Sequence, residues 1–108
     1  MLVAHTNGVF NMALYEIPLL DRNQKFFIKL NKVNYQLKLV FRKRWYLDIF
    51  QTNSEPVALG IPLVSGIDIL SPFSHVISGS MYVQNLNEDE SQSFSDLGTH
   101  IKLFWQDP

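Results

Sequence analysis

Histidines, serines and one acidic cluster are the residues of this chain that could do chemistry, and their spacing decides what they can do. His5, His75 and His100 are isolated. None has a second histidine at metal-ligand spacing, and the nearest approach to a site would bring His75 and His100 across strands to Asp68 or Asp96. The run Glu88-Asp89-Glu90 lacks the fixed ligand offsets and turn glycine of a calcium loop. Ser65, Ser71, Ser74, Ser78 and Ser80 are plentiful, but no nucleophile elbow surrounds any of them. No glycines sit in a phosphate-binding fingerprint. The chain contains no cysteine, which excludes disulfides and thiolate metal sites. The pattern predicts no catalytic, metal or cofactor site, and directs attention to binding instead.

Charge is where a binding surface shows itself. The net charge of −1 hides a two-signed molecule. Residues 1–44 carry eight Lys/Arg against Glu16 and Asp21, a net +6, while residues 45–108 carry eight acids against Lys102, a net −7. Lys25, Lys29, Lys38, Arg42, Lys43 and Arg44 form the candidate subunit interface. The plainer alternative is that both signs merely solvate exposed strand faces. Tyr35, Phe27, Trp45 and Tyr46 interleave with these cations, as stacking aromatics do in small barrels that bind single-stranded nucleic acid. Tyr35 and Trp45, however, lie on the apolar phase of their strands, and the acidic remainder of the chain would repel a phosphate backbone. A nucleic-acid-binding small barrel is therefore the alternative function, and a small β-barrel enzyme the third.

The elements that must position these residues are strands. With 46% hydrophobic and 18% charged residues, the 108-residue chain is globular and one domain long. Residues 1–11 show no periodicity, and Met12-Ala13-Leu14-Tyr15 resembles a natural protein start; 1–12 read as a flexible N-terminal tail and 13–108 as a single β domain. Leu14–Ile17 is a short strand ended by Pro18. Phe26, Ile28 and Leu30 alternate with Lys25, Phe27 and Lys29. After a tight turn at 31–34, Tyr35, Leu37, Leu39 and Phe41 do the same. Trp45, Leu47 and Ile49 continue the meander beyond Lys43-Arg44. Between residues 60 and 72, Gly60, Pro62, Gly66 and Pro72 break any helical period, which leaves a short strand and one helical turn. Val76–Val83 reads as a strand with Gly79 at a bulge or close approach. Residues 85–95 read as an exposed acidic loop, and His100–Trp105 as the last strand. The fold class expected is all-β: a small antiparallel barrel or sandwich of six or seven strands, with at most a short helical turn. No apolar run approaches the roughly 18 residues that span a bilayer. The start lacks the pattern of a signal peptide, so the chain reads as a soluble product of a cytoplasm.

Placed in order, several segments carry a resemblance. They are Leu14-Tyr15-Glu16-Ile17-Pro18-Leu19, Trp45-Tyr46-Leu47-Asp48-Ile49, the run from Gly60-Ile61-Pro62-Leu63-Val64-Ser65-Gly66-Ile67-Asp68 to Phe73, Gly79-Ser80-Met81-Tyr82-Val83, and Asp96-Leu97-Gly98-Thr99-His100 to Phe104. In this order and spacing the chain resembles the baseplate plug family of contractile-tailed bacteriophages over about residues 13–106. The resemblance implies a virion structural protein of the tail baseplate, assembled in the host cytoplasm, sitting near the central hub and the end of the tail tube. It implies no catalytic residues and no cofactor. Its partners would be hub and tail tube proteins and further copies of itself, a trimer in preference to a hexamer, with no membrane. Asp68 joins the candidate interface here: it either caps a short helical turn or pairs with a basic residue of a neighbour.

Overall fold

Two four-stranded antiparallel sheets face each other across one apolar core. The computed structural model describes the backbone of residues 3–7 and 12–108, and the side chains of residues 14–108. Its strands are β1 (Val3–Asn7), β2 (Met12–Ile17), β3 (Gln24–Leu30), β4 (Val33–Phe41), β5 (Trp45–Gln51), β6 (Pro56–Pro62), β7 (Ser80–Asn85) and β8 (Ile101–Gln106). The first sheet has the order β1-β2-β8-β7 and the second the order β3-β4-β5-β6. Two 3-10 turns, Ser71–Phe73 and Phe94–Asp96, are the helical segments among the described residues.

The all-β expectation holds, and of barrel and sandwich the chain forms the sandwich. Seven strands lie between residues 12 and 108, and β1 adds an eighth by pairing antiparallel with β2. Of the expected tail, residues 1, 2 and 8–11 lie outside the described residues.

The second sheet is the meander that the alternation predicts. Leu30 pairs with Val33, so only Asn31 and Lys32 turn the β3–β4 hairpin, and both have positive φ (49° and 66°). Positive φ at both central positions matches the right-handed twist of the strands it joins. Ile28, Leu30, Tyr35, Leu37, Leu39, Leu47 and Ile49 are buried; Phe26 and Phe41 pack partly buried against them. From the first sheet come Ile17, Met81, Val83, Ile101, Leu103 and Trp105.

One strand begins later than its apolar residues suggest. Val76 and Ile77 donate their N–H groups back to Phe73 and stay in a turn, and β7 starts only at Ser80. Gly79 is the reason the chain straightens there. It has φ +125°, and a Cβ on it would overlap the indole ring of the fully buried Trp105. The close approach read from the sequence is therefore between Gly79 and Trp105.

Candidate subunit interface

The cations of the candidate interface come together on the outer face of the second sheet and at one of its turns. Lys25 and Lys29 alternate with the inward-facing Phe26 and Ile28. The β3–β4 register sets Lys25 directly opposite Lys38 and Lys29 opposite Asn34, and the β4–β5 register sets Lys38 opposite Asp48. Across the sheet this makes a row Lys25–Lys38–Asp48 beside a second row Phe27–Gln36–Phe50. At the β4–β5 turn, Arg42 N–H donates to the Arg44 carbonyl (2.8 Å) and Lys43 takes φ 66°, so three consecutive basic residues stand exposed.

Two lysines facing each other across a ladder repel. Asp48 stands beside Lys38 alone and brings one negative charge against the two lysines, while its Oδ1 also accepts the Gly60 N–H at 2.7 Å. That bond closes a bulge in which Leu59 and Gly60 together oppose Asp48, with Gly60 at φ +69°. Among the described residues, none of the six cations has a salt-bridge partner or a side-chain hydrogen bond. A cleft of about 450 Å³ lies among Asn23, Lys25, Lys38 and Arg42. Beside it, Phe27 stands 64% exposed.

Asp68 is elsewhere. Its Oδ1 accepts two backbone N–H groups, those of Leu70 and Met81, each at 3.0 Å. The neighbouring Ile69 N–H donates to the Met81 carbonyl (2.9 Å). The side chain thus turns its own loop and fastens that loop to β7, in the first sheet. Of the two roles expected for Asp68, the helix cap is not made, because the 3-10 turn Ser71–Phe73 has Leu70 at its N-cap and no side-chain cap bond; Asp68 braces its own loop instead, and the structure does not gather it with the cations. The segment around it forms a second surface feature that the charge pattern missed: an apolar cleft of about 270 Å³ lined by Ile61, Pro62, Val64, Ile67, Ile69 and Phe73. The signal for it was an apolar run broken by Gly and Pro, which leaves Ile67 56% exposed.

The acidic loop is tied down by its own polar residues. Gln92 accepts the Trp45 N–H (2.7 Å) and donates to the Leu63 carbonyl (2.8 Å), while the Trp45 indole donates to the Ser93 carbonyl (3.2 Å). The Ser65 hydroxyl donates to the Glu90 carboxylate. Asp96 closes a capping box with Ser93 and accepts from the Asn87 amide (3.0 Å). Burial pushes the Asp96 carboxyl up, but the Ser93 backbone and hydroxyl, the Asn87 amide and His100 outweigh it and hold it below the ordinary value of 3.8. Hydrogen bonds from the Ser91 hydroxyl and backbone hold Asp89 low as well.

Of the histidines, His100 does reach Asp96 (Nδ1 to Oδ1, 3.3 Å), but its side chain is 57% exposed and the pair is solvent-screened. His75 is exposed away from them. Among the described residues, no group of three His, Cys, Asp or Glu converges to hold a metal. Tyr35 and Trp45 are buried as their strand phase predicts, so neither is a stacking platform for bases.

A family model described as cyanophage baseplate Pam3 plug gp18 matches residues 14–108, which runs from within β2 through the end of β8. The chain belongs to this baseplate plug family. No curated protein matches it. Membership in the plug family makes the chain a phage baseplate component that assembles with other baseplate proteins in the virion tail. The match includes both the basic face and the apolar cleft.

Proposed function

We propose that this plug closes the centre of a contractile-tail baseplate, at the hub and the end of the tail tube, and that it does so by protein–protein contact without catalysis. The observation that carries the reading is the set of six unpartnered cations on and beside one sheet face of a plug-family chain. Cations left without partners inside a subunit are available to acids on a neighbour, where complementary charge sets orientation and encounter rate. The opposite sign is concentrated in the loop containing Glu88, Asp89 and Glu90, so copies can also meet head to tail and close a ring. On this reading the plug is a homo-oligomer built in the host cytoplasm, a trimer in preference to a hexamer.

Native mass spectrometry of the purified chain, alone and mixed with the hub and tube proteins of its own phage, tests this. The reading expects a complex of fixed stoichiometry with at least one of them, with the plug present in three copies. A chain that stays monomeric with both partners at micromolar concentration would contradict it.

A further inference from the structure

The edges of the two sheets are protected unequally. On β6, two register shifts and the prolines Pro56 and Pro62 disrupt the open side. On β7, Met81 has both outward main-chain groups occupied, its N–H by Asp68 and its carbonyl by Ile69. By contrast β3 is a regular, seven-residue edge without proline or bulge, and β4 is its strand neighbour. Among the described residues nothing else pairs with its backbone.

The hairpin geometry says which groups face outward. A two-residue loop makes Leu30 and Val33 a hydrogen-bonded pair, and the pattern alternates from there. Ile28 and Phe26 therefore bond to β4. Phe41 confirms the phase: it has the parity of Leu37 and Leu39, and its N–H points to the β3 side, where Asn23 Oδ1 accepts it at 2.9 Å. The N–H and C=O groups of Lys25, Phe27 and Lys29 point to the open edge. These are also the residues whose side chains stand on the outer face, two unpartnered cations around an exposed phenyl ring.

We infer that β3 takes up an added strand from another baseplate protein, an extended segment whose facing residues read acidic, apolar, acidic at every second position. A carboxylate opposite Lys25 would extend the row Lys25–Lys38–Asp48 so that negative charge bounds the lysine pair on both sides. An apolar side chain opposite Phe27 would extend the row Phe27–Gln36–Phe50. A second copy of the chain does not fit. Pairing β3 with itself about Phe27 sets Lys25 against Lys29, and nowhere in the sequence do two carboxylates stand four residues apart.

The inference rests on the plug reading, and its test separates the two. Hydrogen exchange at single-residue resolution is compared between the free chain and the chain assembled with its hub and tube proteins. The amides of Lys25, Phe27 and Lys29 should slow at least tenfold on assembly, while those of Phe26 and Ile28 are protected in both states. In parallel, Phe27→Pro removes one outward N–H and spares the ladder, whereas Phe27→Thr removes the ring and keeps the N–H. Phe27→Pro should weaken assembly more than tenfold beyond Phe27→Thr. A complex that forms with no slowing at the three amides, or with equal loss in both variants, overturns the added strand and leaves docking by side chains alone. Failure of the wild-type chain to form any complex overturns the plug reading itself.

Discussion

Replacing Asp68 with alanine tests whether this residue belongs to the fold or to an interface. Its Oδ1 accepts the N–H groups of Leu70 and Met81, both at 3.0 Å, and those residues are 1% and 0% exposed. Removing the carboxylate leaves two backbone donors of buried residues without their partner at a part-buried site. Each buried donor left unpaired costs about 1–3 kcal/mol, so Asp68→Ala should lose about 2–6 kcal/mol. A domain of this size is typically stable by about 5–15 kcal/mol. At a urea slope of about 1–3 kcal/mol/M, the unfolding midpoint should fall on the order of 1–2 M with unchanged slope. Asp68→Asn keeps an acceptor oxygen without the charge and should recover at least half of the loss. Urea titration followed by tryptophan fluorescence reads all three proteins. A wild-type midpoint for Asp68→Ala would refute the reasoning, because the two bonds would then be dispensable and the carboxylate free for a neighbour.

Three further outcomes follow from particular contacts. Gly79→Ala pushes a methyl group into the buried Trp105 ring at φ +125°, and overpacking with backbone strain should cost about 2–5 kcal/mol; a thermal melt within 2 °C (about 0.5 kcal/mol or less) of wild type would contradict this. Leu39→Asp buries an unpaired charge at a fully enclosed site, and the variant should lose its cooperative near-ultraviolet dichroism transition. Asp96 is held below its ordinary value of 3.8 in the folded chain, so its contribution is complete above that value and is lost as pH falls through the lower folded value. Asp96→Asn should accordingly flatten the fall in urea midpoint below pH 3.8, and an unchanged acid limb would count against the capping box.

What was legible in the sequence is what repeats with period two. Alternation from Phe26 to Ile49 placed three strands and their buried side chains, because a strand with one face on the core must alternate. The cations sharing that period were legible for the same reason. The choice between barrel and sandwich was not, since it depends on β2 pairing with β8 from the far end of the chain, a contact that no local pattern encodes. Asp68 was noticed but unexplained, because its partner Met81 lies thirteen residues on and across a loop. Polar residues of the acidic loop read as solvated, yet Gln92 and Asn87 spend their amides on Trp45, Leu63 and Asp96. Hydropathy reports where water is excluded, and it is blind to polar groups that satisfy one another.

Reversing Lys25, Lys29, Lys38 and Arg42 to Glu together is the most direct test of the central claim, that the plug assembles through the basic face of its second sheet. Each exposed pair contributes under about 1 kcal/mol, so the four reversals together should weaken association by about 2–4 kcal/mol, roughly 30- to 700-fold in affinity. The measurement is the dissociation constant for hub and tube proteins at moderate salt, with a thermal melt of the isolated chain beside it. The account predicts a large loss of affinity and a melt close to wild type. Wild-type affinity in the reversed chain would show that these cations are merely solvated, and the interface would then have to lie on the apolar cleft between Gly60 and Phe73.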